Sequence, residues 1–196
     1  MFKRTKSTIA MSVICATPTL YAQEAGRIQA GQFDLIPSFS SSMAYVDNVA
    51  YARDDDPKIY SWRTTLSPEL IAATEVDGNS VQVGYRLERG VYFSSDNDDY
   101  TDHFVEASGD FELNSRHRVN AIAQYEDGHE DRGTGFSLGL GTAITTPDRY
   151  KSTYFGGEYM YGAATSDGLL TLKANRETLD YDRSEQAYLI RDRVKN

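Results

Sequence analysis

The chain has 196 residues, a formal net charge of −9 and one cysteine, Cys15. Its length fits about one domain. The acidic balance argues against nucleic-acid binding, because proteins that neutralise phosphates carry clustered lysine and arginine. A single cysteine offers no disulfide framework and no thiolate metal cluster within the chain. We expect no bound cofactor or metal.

The first 22 residues have the zones of a secretory signal peptide. Basic side chains come first, a mostly apolar stretch follows over residues 7–16, and Ala22 marks the expected cleavage point. The apolar stretch is shorter than the roughly 20 residues that a membrane-spanning helix needs. We therefore predict a signal peptide over residues 1–22 and an exported domain over residues 23–196. The alternative is a frayed helix at the start of a cytosolic protein.

Strand-period alternation then recurs along the chain. It is clearest where Val81, Val83 and Tyr85 alternate with polar residues, a pattern that places apolar and polar side chains on opposite faces of a sheet. Pro68 should bend or interrupt its strand, because proline lacks an amide hydrogen. The predicted strands are residues 35–46, 60–74, 80–93, 103–113, 117–126, 150–163 and 169–180, and residues 186–194 are a candidate eighth.

The connections alternate in length. Short turns, at residues 77–79, 114–116 and 166–168, alternate with long polar connections, at residues 46–59, 94–102 and 126–149. Short turns at one end and long loops at the other are typical of outer-membrane barrels. The predicted strands also exceed the usual globular length of about 5–6 residues. We therefore predict an all-β, antiparallel, up-and-down transmembrane β-barrel of seven to eight strands. A secreted soluble β-sandwich with a binding role is the alternative.

Charged residues on the polar parity of these strands are the candidate lumen-facing set. In a pore they would set ion and sugar preference through their local field, whereas in a narrow interior they would pair with one another. The sequence leaves both interpretations open. The set is Arg86, Glu88, Glu106, Asp110, Glu112, Arg118 and Lys173.

Other polar motifs have simpler interpretations. Ser137, between Gly135 and Gly139, has the spacing of a serine-hydrolase elbow, which would make the chain an outer-membrane barrel enzyme acting on lipid or glycan. The strand–turn–helix context of that elbow is missing, so we predict no catalytic residue and no enzyme. His129 and the acidic runs at residues 54–56 and 96–99 are expected to lie in solvated loops rather than to bind a cation.

Several segments carry motifs of one known family: Pro37, 45–48 (YVDN), Trp62, 67–68 (SP), 100–103 (YTDH), 113–119 (LNSRHRV), 125–135 (YEDGHEDRGTG) and 146–150 (TPDRY). They resemble the putative β-barrel porin type 2 proteins. The resemblance covers about residues 31–181 and implies an outer-membrane barrel, often linked to exopolysaccharide or capsule gene clusters. It also implies contact with outer-membrane lipid or lipopolysaccharide, and with polysaccharide or export machinery. Members of this family are longer, so we expect this chain to form only part of a barrel.

Overall fold

The protein forms one antiparallel β-sheet whose strands follow each other in chain order. The computed structural model describes residues 26–162 and 168–182. Two short 3₁₀ turns lie in the connections. No helix in the described residues is long and apolar enough to cross a membrane. The strands are β1 (Ile28–Ala30), β2 (Phe33–Val46), β3 (Ser61–Val76), β4 (Asn79–Tyr92), β5 (Tyr100–Asn114), β6 (His117–Glu130), β7 (Asp148–Tyr161) and β8 (Leu170–Tyr181).

All seven strands predicted from the alternation are present, as β2 to β8. The sequence missed β1, which has three residues and pairs with the start of β2. It also ended β6 too early, at residue 126, because the run after Tyr125 is charged. In the structure β6 continues to Glu130 and pairs with β7 throughout. The predicted signal peptide and the candidate eighth segment at residues 186–194 lie outside the described residues.

Pro68 interrupts the pairing of β3 with only one of its two neighbouring strands. Towards β2 the pairing is continuous, with Pro68 opposite Phe39. Towards β4 the pairs at Ser67 and Pro68 are missing, and the same register resumes at Glu69. Proline can donate no ladder hydrogen bond, which explains the local gap. The predicted interruption is therefore confirmed for the β3–β4 ladder alone, and β3 itself is unbroken.

The register places apolar and polar side chains on opposite faces. Val83, Ala107 and Ala123 lie opposite one another on one face, which we call the apolar face. On the other, the polar face, Asp110 lies opposite Ser80 and Asn120. Many large side chains of the apolar face are exposed to the surroundings, including Phe39, Phe155 and Leu172. A soluble monomer rarely exposes so extended an apolar surface, whereas a barrel turns it towards lipid.

The two ends of the sheet differ. Tight turns such as Asp77–Gly78 lie at one end, and three long connections lie at the other, which we call the loop rim. The buried hydrophobic residues of the described chain lie at the loop rim: Val49, Ala50, Ala52, Tyr92, Tyr100 and Ile144. All eight strands belong to one sheet, so the described residues lack the two packed sheets of a β-sandwich. Within them, β1 and β8 do not pair with each other, and the sheet is open.

Candidate functional site: the polar face and the loop rim

The structure places all seven candidate lumen residues on the polar face. Arg86 lies opposite Glu69 of β3, and Glu106 lies opposite Gln124 of β6. Glu112 lies opposite Arg118. The shared face follows from the period of two, because residues of one parity in paired strands point to the same side of the sheet. The remaining members are Glu88, Asp110 and Lys173. In the strand register they lie opposite Asp102, Ser80 and Glu158, respectively.

Only part of this charge is neutralised within the sheet. Arg86 contacts Glu88 at 3.0 Å, and Lys173 contacts Glu158 at 2.7 Å. Glu106 instead accepts a hydrogen bond of 2.7 Å from the neutral amide of Gln124. Acidic side chains outnumber basic ones on this face, so mutual pairing cannot neutralise it. The acidic residues of this face in the strands, away from the loop rim, are Asp34, Glu69, Glu75, Glu88, Glu106, Asp110, Glu112, Glu126, Glu158 and Glu177; the basic ones are Arg63, Arg86, Arg118 and Lys173.

A hollow of about 340 Å³ lies among these charges, lined by residues of β3 to β6 that include Arg86 and Glu106. A larger hollow, of about 600 Å³, lies on the apolar face between Phe111 and Phe155. Its lining is mostly apolar, with Arg176 of β8 opposite Phe155, and we expect lipid chains to fill it. A second hollow of about 340 Å³ lies on the polar face beside Asp110, Glu158 and Lys173. The two hollows on the polar face are therefore the candidate sites for water-soluble ligands or solutes.

At the loop rim, a buried ion pair joins two long connections. Asp98, between β4 and β5, accepts a hydrogen bond of 2.6 Å from Nε of Arg132, which lies between β6 and β7. The Asp98 side chain is 2% exposed and that of Arg132 is 8% exposed. Arg132 also donates to the carbonyl oxygen of Ile144. The expectation of a solvated acidic loop at residues 96–99 is therefore wrong for Asp98, whose charge is balanced by an arginine from another connection.

The side chain of His129 is only 10% exposed, which corrects the expectation that it lies in a solvated loop. Its Nδ1 lies 2.7 Å from Asp102 and its Nε2 lies 3.5 Å from Asp131, and its ring stacks on Tyr100. The hydrogen bond from His129 lowers the pKa of the Asp131 carboxyl. Arg149 extends the cluster by contacting Asp102 at 3.0 Å. Sequence reasoning missed this cluster, since its members come from separate segments.

The side chain of Ser137 lies inside the connection between β6 and β7. It is fully buried, accepts a hydrogen bond from the amide of Gly133 and donates to the carbonyl oxygen of Thr134. The side chain closes a loop and has no histidine among these hydrogen-bond partners. The run at residues 54–56 also differs from a metal site, since Asp54 is exposed and pairs with Lys58. Among the described residues no cluster of three or more His, Cys, Asp or Glu side chains could hold a metal ion.

These features together define a class of protein. A single up-and-down antiparallel sheet, with an apolar outer face, a charged inner face and long loops at one end, is the architecture of an outer-membrane β-barrel. The chain belongs to the family described as Putative beta-barrel porin 2, whose model matches residues 22–187. A search of curated proteins gave no match, and a search of solved structures gave none either. Family membership supports a porin-like role at the outer membrane.

Proposed function

We propose that the chain is a non-enzymatic, porin-like barrel protein whose polar face lines an aqueous lumen. The observation that carries this proposal is the separation of the two faces: exposed apolar side chains on one, and charges without full pairing on the other. Charged side chains are stable on the second face only if water reaches them. We further propose that residues 1–22 direct export and that the apolar face contacts outer-membrane lipid or lipopolysaccharide.

We propose export or assembly of exopolysaccharide or capsule as the biological setting. The support for this setting is the family alone, since its members are often linked to such gene clusters. The structure adds a physical constraint on the cargo. A lumen with excess carboxylates repels anions and concentrates cations. We therefore propose that a neutral polymer passes more readily than a strongly acidic one.

The acidic face predicts a cation-selective channel. Asp110→Asn removes one lumen charge whose only hydrogen bond in the described structure is a long one, 3.4 Å, from Ser80. We expect this variant to shift the reversal potential of the full-length protein towards zero across a KCl gradient in a planar bilayer. Asp77→Asn is the matched control, because Asp77 is exposed in the tight turn at the opposite end of the sheet and has a φ of 51°, a conformation that asparagine tolerates. An anion-selective wild type, or no channel at all, would contradict the proposed function.

A further inference from the structure

The three long connections at the loop rim join one another over the polar face. We name them by the strands they connect: the β2–β3 loop (residues 47–60), the β4–β5 loop (residues 93–99) and the β6–β7 loop (residues 131–147). Each of these loops contacts at least one of the others.

The first contact places the β2–β3 loop over the polar face. Val49 packs against Tyr92 and Tyr100, together with Val46. Tyr92 shares the parity of Arg86 and Glu88 in β4, and Tyr100 lies opposite Gly90, so both rings belong to the polar face. The ring of Tyr100 covers Gly90 so closely that a β-carbon there would overlap it. The loop therefore turns inwards over the end of the proposed lumen.

The second contact joins the β2–β3 loop to the β6–β7 loop. A β-carbon added at Gly141 would overlap the carbonyl oxygen of Ala50, and one added at Gly133 would lie 2.7 Å from the same oxygen. Ala50 is 2% exposed, so this backbone contact is buried. It joins connections that lie on opposite sides of β4 and β5 in the sheet.

The third contact joins the β4–β5 loop to the β6–β7 loop, and the β6–β7 loop also contacts β8. Asp98 of the β4–β5 loop pairs with Arg132 of the β6–β7 loop, as described above. Phe136, also in the β6–β7 loop, stacks on Tyr181 of β8 with ring centroids 4.7 Å apart. Tyr181 has the parity of Lys173 and so belongs to the polar face. The joined loops thus extend over the polar face from β2 to β8.

We propose that these joined loops form a fixed constriction at the mouth of the lumen and set the size of the solutes that enter. The proposal rests on the proposed pore. The constriction is held by buried backbone contact and a buried ion pair, so it is built into the folded state rather than formed on ligand binding. Gly141 is a specificity-determining residue in this account, because only glycine permits the approach of Ala50.

Gly141→Leu tests the proposal, since the added side chain must push the β2–β3 loop away while the Asp98–Arg132 pair can persist. The full-length protein is compared in planar bilayers by its KCl conductance and by the largest polyethylene glycol that enters the channel. We expect Gly141→Leu to raise the conductance and to shift the exclusion limit to larger polymers. Leu138→Gln is the control, because Leu138 lies in the same loop with 66% exposure and should behave as wild type.

Thiol labelling of Val49→Cys, in a Cys15→Ser background, separates the failures of the two proposals. Val49 is 2% exposed and packs against Tyr92 and Tyr100, so we expect slow labelling by a water-soluble maleimide when Gly141 is present and fast labelling when Gly141→Leu is added. If wild type conducts and the variant has the same conductance and exclusion limit, the constriction is disproved. If both are inserted in the membrane but silent, the proposed pore fails and the constriction fails with it. Rapid labelling of Val49→Cys with Gly141 in place would show that the loops are not joined.

Discussion

Ala107→Arg is expected to prevent stable insertion of the protein into membranes, whereas Ser108→Arg is expected to insert. Ala107 lies near the middle of β5, opposite Val83 and Ala123 on the apolar face. An arginine facing lipid near the bilayer midplane costs about 2–4 kcal/mol. Ser108 is the next residue and points to the polar face, opposite Gln82.

The comparison is sensitive because both variants add the same side chain to the same strand. Folding into lipid vesicles can be followed by the altered gel mobility of unheated samples and by urea titration of the inserted protein. We expect a lower urea midpoint, or no folded band, for Ala107→Arg alone. Equal behaviour of the two variants would contradict the assignment of the faces, and a stronger defect in Ser108→Arg would reverse it.

Asp98→Leu is expected to open the loop rim, because it leaves the buried guanidinium of Arg132 without its carboxylate. Removing one partner of a buried ion pair costs about 3–5 kcal/mol. The energy is lost locally, so the sheet should persist while the amides of residues 131–147 exchange with solvent faster. Hydrogen exchange of the inserted protein measures this difference directly.

Two further variants test whether the loss of a buried ion pair causes the faster exchange in Asp98→Leu. The double variant Asp98→Leu with Arg132→Met replaces both charges by apolar side chains, and we expect it to recover much of the lost protection. Asp54→Leu removes an exposed carboxylate and should leave the exchange of the loops unchanged. Exchange in Asp98→Leu that matches wild type would show that the ion pair does not hold the loops together.

The strands and their faces could be predicted because their signal is local. In β4, β5 and β6 the alternation of apolar and polar residues defines each strand and the side to which each residue points. The seven candidate lumen residues were found on one face for that reason. The gap at Pro68 was also predictable, since it depends on the chemistry of one residue.

The loop rim could not be predicted in the same way, because its contacts are long-range. Asp98 lies in an acidic run that is typical of a solvated loop, and its partner Arg132 is 34 positions away. His129 lies in a charged stretch whose partners come from β5 and from the following loop. Charge density alone predicts exposure at these positions. Burial becomes favourable only when another segment supplies the opposite charge.

Thiol labelling at two adjacent positions of β6 tests the central claim most directly. Ala123→Cys and Gln124→Cys are compared in the full-length protein after insertion into vesicles, using a charged, water-soluble maleimide. The polar face lines an aqueous lumen in our account, so we predict rapid labelling of Gln124→Cys and little labelling of Ala123→Cys until the membrane is dissolved and the protein unfolded. Equal labelling of both variants in intact vesicles, or faster labelling of Ala123→Cys, would contradict a barrel with a polar lumen.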